Sequence, residues 1–150
     1  MIAAEVTPGY IPGMFIPGEE YYRPDIHRLF GGQERPGIST PSKARAVLLF
    51  MSQGGEAFGY RDGWDAERGE YLYYAESRSG ADRIIGGNRA LVDHRREGKQ
   101  LHLFEWTRPR WYRYIGEMEY AGHEFREGVP GRDGRPRTAI VFRLRPVSRR

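Results

Sequence analysis

"AVLLFMSQGGEAFGYRDGWDAERGEYLYYAE", residues 46–76, decides between fold classes. Its first part, 46–51, is a continuous apolar run, the mark of a strand covered on both faces. "QGGE" then turns the chain, "AFGYRDG" (57–63) starts another strand, and "EYLYYAE" (70–76) returns. Between them "WDAERG" has the Asp and Gly chemistry of a tight turn. Nothing in the stretch repeats with a helical period.

The same chemistry recurs downstream. "LHLFEW" (101–106) sets Leu101 and Leu103 against His102, Phe104 and Trp106. "WYRYIGEMEY" (111–120) alternates so that Tyr112, Tyr114, Met118 and Tyr120 share a face. "GRDGRPR" (131–137) is a turn, and "TAIVFRLRPV" (138–147) puts Ile140, Phe142 and Leu144 on one face. Two segments have helical spacing. "YYRPDIHRLFGG" has Pro24 in its first turn, Ile26, Leu29 and Phe30 on an apolar face, and Gly31 to stop it. "GNRALVDHRREGK" (87–99) has Asn88 as a cap, Ala90, Leu91 and His94 on one face, and Gly98 to end it.

Residues 32–43 read as a loop, residues 1–14 as a Pro- and Gly-rich extended lead-in, and 148–150 as a basic tail. The expectation is one domain over 15–147 of α+β, mostly β class. Two small flanking helices would sit outside a curved, barrel-like sheet of about six strands.

Composition removes several function classes. Cysteine is absent, which excludes disulfides, a thiol nucleophile and a Cys-type zinc site. No apolar run approaches a membrane span, and the N-terminus lacks the basic and apolar regions of a signal peptide. A cytoplasmic protein with no membrane partner is expected. The net charge is +4, and all basic residues except Lys43 and Lys99 are arginines. GC-rich coding explains part of that bias. Arginine also suits bidentate contacts with phosphate and guanine. From 108 onward, eleven arginines face five acids, a surplus of +6, so the preceding residues sum to −2. A phosphate-facing C-terminal half is one reading; a solvated face is the other.

The chemistry concentrates in the hairpin. Asp62 and Asp65 could act as an acid/base pair, although both are also ordinary turn-formers. None of His27, His94, His102 and His123 has a second histidine at metal-ligand spacing, so neither a metal nor a cofactor is expected. The aromatics say more. Tyr60, Trp64, Tyr73 and Tyr74 gather around Asp62 and Asp65 on adjacent strands. Such a group can stack on a base while a carboxylate accepts from an exocyclic amine, as on cytosine. "SRSGADRIIGGNR" (77–89) supplies glycines and Arg78, Ser79, Arg83, Asn88 and Arg89 for a nucleic-acid backbone or groove. Ser39, Thr40 and Lys43 are further candidates for phosphate contact.

"IHRLFGGQERPGIST", "GYRDGWD", "GGNRALVDHRREGKQLHLFE" and "RTAIVFRLRPV" stand in the order found in one family. The sequence resembles the SRA-type, PUA-like domain of McrA-like, HNH-containing modification-dependent restriction endonucleases. The resemblance implies a PUA-like barrel that reads modified cytosine in double-stranded DNA by flipping the base. It implies that Tyr60 and Tyr74 line the flipped base and that Asp62 or Asp65 receives its amine. Two departures concern the pocket. Tyr74 is followed by Ala75 and Glu76 where the family commonly has Thr and Gly, and Arg61 stands where it often has an acid. The HNH nuclease domain is absent, so the expectation is a chain that binds without cutting. An HNH nuclease domain or a second copy of the chain are its candidate partners. Two alternatives remain open: a PUA-like RNA or protein-interaction module, and a hydrolase or lyase using Asp62 and Asp65.

Overall fold

The computed structural model describes residues 15–35, 37–52, 62–77, 80–131 and 133–148. Eight strands and two helices alternate along them, and one sheet dominates. Its path runs β2 (Ile38–Ser39), β3 (Ala46–Met51), β6 (Gln100–Arg108), β7 (Trp111–Pro130), β8 (Pro136–Pro146), β5 (Glu70–Tyr74), β4 (Gly63–Asp65). β1 (Glu20–Tyr22) adds to β7 off this path. Only β3 and β6 pair in parallel. The strand expected over 57–63 lies largely outside the described residues.

The apolar run of β3 is explained by its two covered faces. Val47, Leu49 and Met51 join Leu101, Leu103, Ile140, Phe142 and Leu144 in the main core. Ala46, Leu48 and Phe50 face the other way, onto Phe104, Tyr114 and Ile26. Ile26 belongs to α1 (Arg23–Phe30), which therefore packs on the back of β3. α1 ends at Gly31, whose φ of 85° suits glycine and whose N–H bonds the His27 carbonyl at 2.8 Å.

Four sequence expectations change. β2 occupies what reads as a loop; it is too short to show a period. β7 does not keep one face over 111–120. Its register shifts beside Leu103 and Phe104, leaving Ile115 without a paired residue. The extra residue turns Tyr112 and Tyr114 to the α1 side, and Met118 and Tyr120 to the main core. β7 also runs on to Pro130. The second helix, α2 (Gly86–Val92), is shorter than expected, and turns carry the chain to Gly98 at φ 68°. Asn88 does not cap it; that position is Ile85.

Among the described residues the sheet is not closed by strand pairing, so the barrel is incomplete as a backbone structure. Side chains join its two ends. Ile38 N–H donates to Glu76 Oε2 at 3.1 Å, and the Tyr73 hydroxyl donates to the Phe50 carbonyl at 3.4 Å. Asn88, 3% exposed, fixes Glu76 in turn. Its Oδ1 accepts the Glu76 N–H at 2.8 Å, and its Nδ2 donates to the carbonyls of Glu76 (3.0 Å) and Arg83 (2.9 Å). Among the described residues no helix is long and apolar enough to cross a membrane.

Asn88→Ala leaves one buried donor and two acceptors without partners. The expected loss is roughly 2–4 kcal/mol of folding stability, read as a fall in the urea midpoint at unchanged slope. A midpoint equal to wild type would show that Asn88 does not hold the closure.

Candidate functional site

The β4–β5 hairpin pairs Gly63 with Leu72, Trp64 with Tyr71 and Asp65 with Glu70. Asp65 makes the turn. Its Oδ1 accepts the N–H groups of Glu67 (3.1 Å) and Arg68 (3.4 Å), and its carbonyl accepts Gly69 N–H at 2.9 Å. Arg68 Nε lies 3.7 Å from its other carboxylate oxygen. Asp65 is thus occupied by local geometry.

Asp62 is not. One oxygen accepts the Tyr74 N–H at 2.8 Å, and among the described residues no cation pairs with it. The residue is half-buried. Desolvation pushes its carboxyl up to about 6, against the pull of the Tyr74 N–H. A carboxylate held at such a cost without a counter-ion is a mark of functional sites.

Trp64 pairs with Tyr71, and alternation along β5 puts Tyr71 and Tyr73 on one face, where the field of Asp62 reaches Tyr73. Trp64 is 53% exposed, with Tyr71 beneath it at 4.8 Å between ring centroids. Tyr73, in the main core, feels the fields of Asp62 and Glu76. Together with burial, these hold its hydroxyl well above the ordinary range. Tyr74 faces the opposite way, onto Val129, Ala139 and Val141, and its hydroxyl accepts from Arg126 at 2.9 Å. The structure therefore brings Asp62, Trp64 and Tyr73 to one side. Tyr74 meets Asp62 through its amide and not its ring. Tyr60 lies outside the described residues.

The expected backbone contacts also divide. Thr40, Lys43, Arg83 and Arg89 are exposed, although Arg89 pairs with Asp93 at 3.0 Å. Ser39 is buried, with no hydrogen-bond partner for its Oγ. Asn88 is engaged inside the fold. Arg78 and Ser79 lie outside the described residues.

Two features escape sequence reading because their partners are far apart in the chain. Asp82 is fully buried and anchors the loop before α2. It takes Arg137 Nη1 at 2.7 Å on one oxygen and the Ile140 N–H at 2.9 Å on the other. Arg126 bridges Tyr74 and Glu124.

Most of the described arginines behind the C-terminal basic surplus are engaged within the fold. Arg108, Arg110, Arg113, Arg126, Arg137, Arg143 and Arg145 all sit in ion pairs. Two of the histidines brace the fold through hydrogen bonds. His27 Nε2 accepts from Arg23 Nε at 2.9 Å. His94 Nε2 accepts the Tyr120 N–H at 3.1 Å, which leaves Nδ1 to donate to the Lys99 carbonyl at 2.9 Å. Among the described residues no group of three His, Cys, Asp or Glu could hold a metal.

The family model "ScoMcrA-like, SRA domain" matches residues 17–150. The chain belongs to the ScoMcrA-like SRA domain family. Solved structures agree on the fold of this SRA domain. The sulfur-binding and SRA domains of ScoMcrA, complexed with phosphorothioated DNA, superpose with a TM-score of 0.70 at 24% identity over 89% of the chain. The SRA domain of SUVH5, complexed with hemimethylated CG DNA, gives 0.65 at 18% identity over 95% of the chain and 94% of its own length. MspJI, a restriction endonuclease with a 27-mer oligonucleotide, gives 0.54 at 16% identity over 78% of the chain and 33% of its own. The SRA chain spans 40% of the ScoMcrA two-domain chain and 28% of the ScoMcrA endonuclease chain. No curated protein sequence matches it.

The raised carboxyl makes a stability prediction for this SRA domain. Folded Asp62 titrates at about 6, above its ordinary 3.8, so folding favours the protonated form. That contribution is fully present below the ordinary value and is lost as pH rises through about 6. Asp62→Asn mimics the protonated group. Discounted for partial exposure, it should stabilise the fold by about 2 kcal/mol at pH 7. The advantage should shrink to nothing near pH 4, where the wild type is itself protonated. Thermal melts of both proteins across that range test it; a pH-independent difference would contradict it.

Proposed function

We propose that this SRA domain recognises a modified cytosine in double-stranded DNA by taking the base out of the helix. The observation that carries the reading is Asp62. Its carboxylate keeps an oxygen free of cations among the described residues, on the face that also carries the exposed Trp64 ring. Cytosine offers an exocyclic amine, which a carboxylate accepts while aromatic rings cover the base plane. The base must leave the stack to reach a half-buried group.

Of the two aspartates, Asp62 is assigned to the amine, because Asp65 is engaged in the turn. Trp64 and Tyr73 form walls on that side, with Tyr60 as the further stacking residue. Tyr74 then acts through its amide, which orients Asp62. Exposed Thr40, Lys43, Arg83 and Arg89 are assigned to the DNA backbone.

Fold neighbours support the class. SUVH5 SRA is known with methylated and with hydroxymethylated CG DNA. Ala75, where the family commonly has Thr, leaves more room and favours a substituent larger than methyl. The chain is read as the binding part of a modification-dependent restriction system, acting without cutting and joined to a nuclease domain or a second copy. The hydrolase reading loses its second carboxylate to the turn, so no observation favours it.

The test is fluorescence anisotropy on matched duplexes carrying cytosine, 5-methylcytosine, 5-hydroxymethylcytosine or its glucosylated form, at fixed salt. Wild type should prefer one modified duplex, and Asp62→Asn should lose that preference by a factor of about 10 or more while remaining folded. Preference should also weaken as pH falls through about 6, since the protonated carboxyl no longer accepts with both oxygens. Equal binding to all four duplexes would overturn the reading and send the search to RNA.

A further inference from the structure

Beyond residue 120, β7 and β8 continue together as an antiparallel arm to the turn at 131–135. The arm is fixed to both elements of the proposed site, at Arg126 along its length and at Arg137 next to its tip. Arg126, on β7, donates to the hydroxyl of Tyr74, whose amide holds Asp62. Arg137, on β8, makes the buried pair with Asp82, which anchors the loop running into α2. Arm, loop and hairpin therefore meet at one end of the sheet.

Among its described residues the tip presents one cation, Arg135. The Arg135 N–H donates to Asp133 Oδ1 at 2.9 Å, and its carbonyl accepts Gly131 N–H at 2.9 Å. Gly134 takes φ 79°, and its N–H bonds the Gly131 carbonyl at 3.0 Å. Pro136 follows at once and fixes φ on entry to β8. The backbone of Arg135 is thus set while its side chain is exposed. Every other described arginine from Arg108 onward is in an ion pair; Arg135 is in none among the described residues.

Register places this cation relative to Asp62. Tyr74 pairs with Val141 on β8, and Val141 with Glu124 on β7. From Val141 to Arg135 the arm rises about 20 Å at roughly 3.3 Å per residue. That is the length of roughly six nucleotides of one DNA strand.

We propose that the β7–β8 arm is a second DNA-contacting element, with Arg135 holding a backbone phosphate roughly six nucleotides from the base at Asp62. The inference rests on the DNA-reading role proposed above. Arginine suits the task because its planar fork meets phosphate with two donors. A phosphate contact carries no sequence information, so the arm contributes affinity and register while the Asp62 pocket selects the base.

The experiment measures affinity of wild type, Arg135→Ala and Arg135→Glu for a modified duplex and its plain cytosine match, each at several salt concentrations. Arg135→Ala should weaken both duplexes by the same factor, about 3–10-fold, and lower the salt slope by about one. Arg135→Glu should weaken both further, and the modified-to-plain ratio should stay at the wild-type value. Melting temperatures should not move, since the side chain is exposed and in no ion pair among the described residues. Affinity and slope unchanged in both variants would overturn the proposal, as would a change in self-association without one in DNA binding. The base-reading role fails separately: it falls if wild type shows no modified-to-plain preference, whatever Arg135 does.

Discussion

The carboxylate of Glu76 spans an interval that the sheet does not bridge by strand pairing. By accepting the Ile38 amide it ties the strand carrying the hairpin to the far end of the sheet, and Asn88 holds the Glu76 backbone there with two hydrogen bonds. By strand pairing alone, β4 and β5 hang from β8. The main core needs both ends, because Ile38, Tyr73 and Ala75 pack into the same cluster as Leu91 of α2. The half-buried face of Asp62 lies beside that seam, next to Tyr73, whose hydroxyl is the second strap across it.

Charge in this molecule is mostly internal to its surface. The strongly basic C-terminal part suggests a binding face by composition, yet most of its described arginines meet the carboxylates of Glu20, Glu34, Glu105, Glu124, Glu70 and Glu119. Exposed pairs of this kind contribute little to stability, typically under about 1 kcal/mol each. Their consequence is to lower the free positive charge to a few positions. Arg83, Lys43 and Arg135 therefore weigh more than the net charge does.

The fold was legible where a single strand states its own environment. The run at 46–51 declared a strand with two covered faces, and Ile140, Phe142 and Leu144 declared one side of β8. Pro24 and Gly31 bracketed α1. What stayed hidden depends on partners distant in sequence. The bulge at Ile115 is set by how β7 meets β6, and no local pattern announces it. The pairs Asp82–Arg137 and Arg126–Tyr74 join residues more than fifty positions apart. Asn88 looked like a helix cap or a DNA contact because Asn serves both; its burial, which decides otherwise, belongs to the tertiary structure.

The two aspartates of the hairpin, three positions apart, divide the work that the sequence left undivided. Asp65 accepts from the backbone it turns with one oxygen and meets Arg68 with the other. Asp62 sits where burial penalises its charge and a single amide offsets part of that penalty. An asparagine at 62 would serve the Tyr74 amide equally well and fold more favourably at neutral pH. The carboxylate is therefore not explained by what it does for the fold. On the function proposed above, its physical meaning lies in what it accepts from outside, since a carboxylate with one amide partner among the described residues still has room for a further donor.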